Sequence, residues 1–190
     1  EELAYFIRDS GARLVIGDDK KRGDLTVICD TCGAQRETLN GDGSGSFSHK
    51  AATFPTDFDT VARSQDDLAA FLYTSGTTGR SKGAMLSQGN LLSNAQTLQQ
   101  EWQFTSRDVL MHALPIFHTH GLFVATNIAV LSGCQMMFLP QFDLDQIIEK
   151  MPHATSMMGV PTFYTRLLGD ARFTKDLAAH MRLFVSGSAP

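Results

Sequence analysis

The chain has 190 residues, 43% of them hydrophobic and 19% charged, with a formal net charge of -4. That length buries one real core, and one domain is the default. The small acidic balance, without a basic block, excludes nucleic acid as the expected partner, and no apolar run is long enough to span a membrane. No basic-then-apolar leader opens the sequence. The three cysteines, Cys29, Cys32 and Cys134, make no even disulfide framework, and a reducing, cytoplasmic setting fits them.

Glu1 to Ile7 starts inside a helical pattern with no cap before it, and Leu3, Phe6 and Ile7 share one face. Arg13 to Ile16 reads as a short strand after the turn signal Ser10-Gly11, and Leu25 to Cys29 as a second. Cys29-Asp30-Thr31-Cys32 spells CxxC. A zinc knuckle needs a second ligand pair, and none is present. A thioredoxin-type site needs a helix opening from the motif, whereas Gly33 and a polar run follow. The motif therefore reads as a strand end with ordinary thiols. Residues 41–55 predict a surface loop with a helical turn around Phe47. Gly41, Gly43 and Gly45 miss the pattern G-x-G-x-x-G, because Ser46 stands where its last glycine belongs.

The apolar run Leu68 to Leu72 leads into Tyr73-Thr74-Ser75-Gly76-Thr77-Thr78-Gly79-Arg80-Ser81-Lys82-Gly83. Glycines let backbone amides approach a ligand, hydroxyls add donors, and lysine adds a point charge. The stretch reads as a loop that grips a polyphosphate. It is not Walker A, since Ser81 precedes Lys82 and Gly83 follows it. Gly79 to Gly83 does spell G-x-S-x-G, so a serine hydrolase using Ser81 is an alternative. A nucleophile elbow needs a strand running directly into the first glycine and a helix leaving at once; here Thr74 to Thr78 intervene. A plain hydroxyl-rich turn is the other alternative.

Gln88 to Trp102 predicts a helix, with Leu91, Leu92, Ala95, Leu98 and Trp102 at helical spacing. Val109 to Leu114 is a strand ended by Pro115, and Leu122 to Leu131, apolar nearly all round, is a buried helix. Met136 to Leu139 is a strand, Asp143 caps a helix through Ile147-Ile148, and Thr155 to Met158 is another strand. Pro161 sits at the first turn of a helix over 162–168, and Arg182 to Val185 is the last strand. This alternation predicts an α/β fold with a mostly parallel sheet and flanking helices. Ligands bind at the C-terminal ends of parallel strands. Four stretches qualify: the central loop, His118 to Gly121, Gly159-Val160-Pro161, and Ser186 to Pro190. Both termini read as cut, so the expectation is a piece of a larger protein.

These motifs carry a resemblance. Tyr73 to Gly83 resembles the phosphate-binding signature of the AMP-forming adenylating enzymes, which include acyl-CoA synthetases, peptide-synthetase adenylation domains and luciferases. Leu114-Pro115-Ile116-Phe117-His118-Thr119-His120-Gly121 resembles the family's histidine loop, and Met158-Gly159-Val160-Pro161-Thr162 its pocket-lining strand end. Ser186-Gly187-Ser188-Ala189-Pro190 resembles the start of its adenine-side loop. Within the family, Leu86-Ser87, His112 to Phe123 and Gly159 to Leu168 are similar to malonyl-CoA synthetases.

The resemblance implies the truncated part of a large N-terminal domain, residues 1–190, with the C-terminal domain absent. It implies ATP, Mg²⁺ and coenzyme A as cofactor and co-substrates, and a small malonate-type acid as substrate. Thr74, Ser75, Gly76, Thr77, Thr78, Gly79 and Lys82 would hold the phosphates, and Ser188, Ala189 and Pro190 the nucleotide. His118, with Lys82, would act on the reacting groups. Gly159 would line the acyl pocket, and His120 and Arg166 would face a second carboxylate, which needs a charged, hydrogen-bonded partner when buried. Each has a plainer reading beside it: packing for His120, a solvated helix face for Arg166. His112, His49, His153 and His180 show no such context. A medium- or long-chain acyl-CoA synthetase and a non-catalytic nucleotide-binding fragment stay as alternatives. The piece alone is expected to be inactive, and its missing strands leave sheet edges open to pairing with another copy.

Overall fold

The computed structural model describes residues 2–74 and 81–188. The chain forms two compact units, Glu1–Ser64 with Leu68–Leu86, and Gln65–Asp67 with Ser87–Pro190.

The first unit begins with α1 (Glu2–Ser10), β1 (Leu14–Gly17), α2 (Arg22–Cys32) and β2 (Gln35–Thr38), and β1 and β2 pair in parallel. The expected strand over 25–29 is instead the middle of α2. Burial explains the difference: Leu25 and Cys29 are buried four residues apart, while Val27 between them is 68% exposed. The helical period won over the β-branched run Thr26-Val27-Ile28. Gly33 (φ 69°) closes α2 in the left-handed conformation, so the CxxC lies along a helix end rather than a strand end. The partner of β1 is the polar segment 35–38. α3 (Ser46–Ala51) confirms the turn at Phe47.

β3 (Leu68–Thr74) and β4 (Lys82–Ser87) form a separate two-stranded sheet. α1 anchors it. Tyr73 stacks on Phe6 at 4.3 Å, and its hydroxyl donates to Asp9 Oδ2 at 2.7 Å. Desolvation and then the Asp9 carboxylate push the Tyr73 phenol up to about 12. The Tyr5 hydroxyl donates to Ser81 O at 3.0 Å.

The second unit holds α4 (Gln88–Glu101), β5 (Val109–His112), a π-helix (His120–Thr126), α5 (Asn127–Ser132), β6 (Gln135–Phe138), α6 (Leu144–Lys150), β7 (Ser156–Gly159), α7 (Pro161–Leu168) and β8 (Leu183–Ser186). Its sheet has the order β6-β5-β7-β8, and all three pairings are parallel. Side chains alternate across it. Leu110 and Met158 pack with Ile128 and Ala129 of α5, while Met111 and Met157 pack with Ile147 of α6 and Leu167 of α7. A parallel sheet covered on both faces accounts for strands apolar on both sides. Caps fix the helices: Ser87 and Asn90 make a capping box on α4, and Asp143 accepts from Gln146 N. The helix expected over 122–131 is less buried than its composition suggests, with Val130 73% exposed.

One ion pair ties the sheet's N-terminal edge. Buried Asp108 accepts from Arg182 Nε at 2.6 Å, from Thr155 Oγ1 at 2.8 Å and from Thr105 N at 2.8 Å. Burial raises this carboxyl's pKa, but the Arg182, Thr105 and Thr155 bonds outweigh it and hold the group at about 2, below its ordinary 3.8. The folded value is depressed, so its stabilisation is present above about pH 4 and is lost as pH falls towards 2. Asp108→Ala should cost about 2–3 kcal/mol in urea unfolding at pH 7, with the difference from wild type shrinking below pH 4. The discount from a fully buried pair reflects Arg182, whose side chain is 37% exposed. An unchanged midpoint would refute the assignment.

Candidate functional site

Three segments leave the same edge of the parallel sheet from neighbouring strands. β5 runs into the histidine loop, β7 ends at Gly159, and β8 ends at Ser186. Register places His112 beside Met158, Met158 beside Val185, and Gly159 beside Ser186. Gly187 N donates to Gly159 O at 3.2 Å, joining the last two segments. Parallel strands with crossover helices expose this C-terminal edge, where ligands bind.

The histidine loop sends its two histidines opposite ways. His118 is exposed, while His120 opens the π-helix and is 6% exposed. His120 Nδ1 is buried without a hydrogen-bond partner among the described residues. Burial lowers its proton affinity first, then the nearby charges of His112 and His118, so its ring favours the neutral form. A neutral imidazole with an unpaired buried nitrogen can still receive or donate one hydrogen bond. His118 O accepts from Leu122 N at 2.9 Å, and His118 N donates to Pro115 O at 3.2 Å.

Gly159 is buried under the α7 side chains; a Cβ there would meet Phe163 Cδ2 at 3.0 Å and Tyr164 Cε2 at 3.3 Å. Tyr164 fixes α7 to the sheet, since its hydroxyl donates to Val185 O at 2.6 Å with Met157 O at 3.1 Å. Burial pushes that phenol's pKa up, so it stays a donor. Arg166, in the last turn of α7, is exposed, and its guanidinium lies over the Phe142 ring at 4.6 Å. Phe142 stacks in turn on Phe163 at 4.2 Å. No hydrogen bond or ion pair joins Arg166 to another side chain among the described residues. Its face is held and its N–H edges are unpaired, the arrangement suited to a planar anion. It is not joined to His118 or His120.

Ser188 has φ +67°, rare for a residue other than glycine. Such backbone clusters at functional sites. Of the central loop, Thr74 closes β3 and Lys82 opens β4, both exposed. Gly83 packs tightly beneath Tyr73 and Phe71, where a Cβ would come within 3.1 and 3.2 Å of their rings. Ser75, Gly76, Thr77, Thr78, Gly79, Ala189 and Pro190 lie outside the described residues. The central loop also differs from the expected placement: β3 belongs to the two-stranded sheet, not to the parallel one. A strand, not a helix, follows Ser81, and the Ser81 hydroxyl donates to Glu2 Oε1 at 3.2 Å. A nucleophile elbow requires strand, turn and helix, so the serine hydrolase reading fails.

Sequence reasoning passed over His112, Phe142 and Tyr164. His112 alone carried a signal, as a lone polar residue in the apolar run from Val109 to Leu114.

No helix among the described residues is long and apolar enough to cross a membrane, and no group of three or more His, Cys, Asp or Glu residues among them could hold a metal ion. The family described as AMP-binding enzyme matches residues 1–190. The chain is 33% identical to the mitochondrial malonate–CoA ligase of Mus musculus, covering 99% of this chain and 34% of the relative. The crystal structure of ATP-bound MatB from Rhodopseudomonas palustris is 57% identical with a TM-score of 0.95, over 100% of this chain and 38% of that one. A malonyl-CoA ligase ternary product complex with methylmalonyl-CoA and AMP is 31% identical with a TM-score of 0.74, over 99% of this chain and 38% of that one. The chain thus spans little more than a third of these relatives. It belongs to the AMP-binding enzyme family, and within it resembles the malonate–CoA ligases.

Proposed function

We propose that this chain is part of the N-terminal domain of an ATP-dependent acid–CoA ligase that activates malonate or a close diacid, and that it is inactive without the rest of that protein. The observation that carries the substrate class is Arg166, whose face is held by Phe142 and whose N–H edges are unpaired among the described residues. A fatty-acyl pocket gains nothing from a free guanidinium, whereas the distal carboxylate of a diacid pairs with its fork. His120, whose buried Nδ1 has no partner among the described residues, offers that acid a neutral hydrogen bond.

In this reading one carboxylate oxygen of the acid attacks the α-phosphorus of ATP, and the bond to pyrophosphate breaks. The thiol of coenzyme A then takes the acyl group and AMP leaves. His118 orients the attacking carboxylate, and the Lys82 ammonium with the hydroxyls of Thr74, Ser75, Thr77 and Thr78 steadies the departing pyrophosphate. Gly76 and Gly79 lend backbone amides, and Ser188, Ala189 and Pro190 line the nucleotide. This is positioning plus charge stabilisation. Mg²⁺ would supply further charge on the phosphates when bound. The free thiols of Cys29, Cys32 and Cys134 suit a reducing compartment, the cytoplasm or the mitochondrion named for the mouse relative.

The test is pyrophosphate release by the full-length protein with ATP, Mg²⁺, coenzyme A and a panel of acids. Malonate should outpace butyrate and palmitate. Equal rates would remove the diacid reading, and no acid-dependent release would remove the ligase.

A further inference from the structure

His112 ends β5 with none of its surface exposed. Its Nε2 lies 2.9 Å from Gly121 O. A carbonyl only accepts, so Nε2 carries the proton and Nδ1 is left as a lone pair, buried and without a donor among the described residues. Thr126 Oγ1 donates to the same carbonyl at 2.8 Å and sits 3.3 Å from the imidazole Nε2. The Phe138 ring tilts against the imidazole at 5.0 Å and fixes it from the β6 side. Gly121 directly follows His120 and lies within the π-helix His120–Thr126. A π turn is an α-helix with one residue too many, held only where something takes up its misfit. Here a strand-borne donor and Thr126 together capture one carbonyl of the turn.

We propose that His112 is a positioning residue: by donating to Gly121 O it fixes the π turn that directs His118 outward and His120 inward. The inference rests on the ligase reading for its consequence in catalysis, but not for its geometry. The His112 side chain thereby links β5 to the π turn by a hydrogen bond beside the covalent continuity of the chain. Without that bond the turn relaxes towards α pitch, His120 rotates about the helix axis, and the bend that carries His118 shifts with the start of the helix.

The test compares His112→Leu, which removes the donor, with His112→Gln, which keeps an N–H at the ε position, and with Thr126→Val, which removes the second donor without touching the sheet. Two readouts are taken on the full-length protein: hydrogen–deuterium exchange over 118–126, and kcat and KM for malonate. His112→Leu should speed exchange in that segment, leave the rest of the second unit unchanged, lower kcat by roughly tenfold to a hundredfold as His118 shifts, and raise KM for malonate as His120 shifts. His112→Gln should restore most of both, and Thr126→Val should reproduce a smaller part. Unchanged exchange in His112→Leu and Thr126→Val overturns the proposal, as does faster exchange with wild-type kcat. Should His112→Leu fail to fold, the same criteria apply to Thr126→Val, with His112→Gln expected near wild type in both readouts. Should wild type turn over no acid, the ligase reading falls and the exchange arm alone decides whether His112 pins the turn.

Discussion

Arg166→Ala should cut kcat/KM for malonate by on the order of a hundredfold, while butyrate changes by no more than about threefold. The asymmetry follows from where the charge sits. Arg166 makes no ion pair among the described residues, so its removal breaks no internal network. Phe142 loses a cation over its ring, worth about 0.5–1 kcal/mol at an exposed site, and the fold survives. A diacid then leaves its second carboxylate without a partner, whereas a monoacid never had one to place. Arg166→Lys separates charge from geometry: it keeps the cation and loses the planar fork, so it should recover only part of the malonate rate. Acid-panel kinetics on the three proteins decide the matter. Equal losses for malonate and butyrate would show that Arg166 supports the fold or the nucleotide and not the acid.

The second unit was largely legible in the sequence, and the reason is physical. Its central strands β5 and β7 are buried on both faces and read as mostly apolar runs, and the half-exposed edge strands β6 and β8 still carry apolar residues between turn signals. Its helices carry their own punctuation at Ser87, Asp143 and Pro161. The first unit was less so. Residues 25–29 offered β-branched side chains, but Leu25 and Cys29 were buried with helical spacing against the sheet, and packing overrode propensity. β2 is Gln35-Arg36-Glu37-Thr38, with no apolar signal at all. β4 begins in the glycine-rich signature itself, where motif and strand share Lys82 and Gly83. For the site, the resemblance named His118, His120, Arg166 and Ser188, but residue types alone could not say which histidine is buried. That depends on a π turn whose cause, the His112 bond, joins residues nine apart. The Phe142 ring beneath Arg166 comes from a different strand-end loop, a contact made only by the sheet order β6-β5-β7.

Gly121→Ala should reduce turnover of every acid by about a hundredfold or more, without the malonate selectivity expected at Arg166. A Cβ at Gly121 would run into Pro115 O, with Pro115 C at 2.9 Å and Leu114 O at 3.2 Å. All three are backbone atoms, so no side chain can swing aside. Either the segment at Leu114-Pro115 or the first turn of the π-helix must move, and both carry the histidine loop. Gly121 O would move with it, away from the His112 and Thr126 donors that hold it at 2.9 and 2.8 Å. His118 and His120 would be displaced together, which harms orientation of any carboxylate, mono- or diacid. Gly23→Ala is the control: it lies in the first turn of α2, a Cβ there meets nothing within 4 Å, and alanine favours a helix. It should leave turnover unchanged and the melting temperature equal or slightly higher. Wild-type turnover in Gly121→Ala would mean that the loop tolerates a shift of this size, and that the reaction does not depend on the fixed placement of His118 and His120.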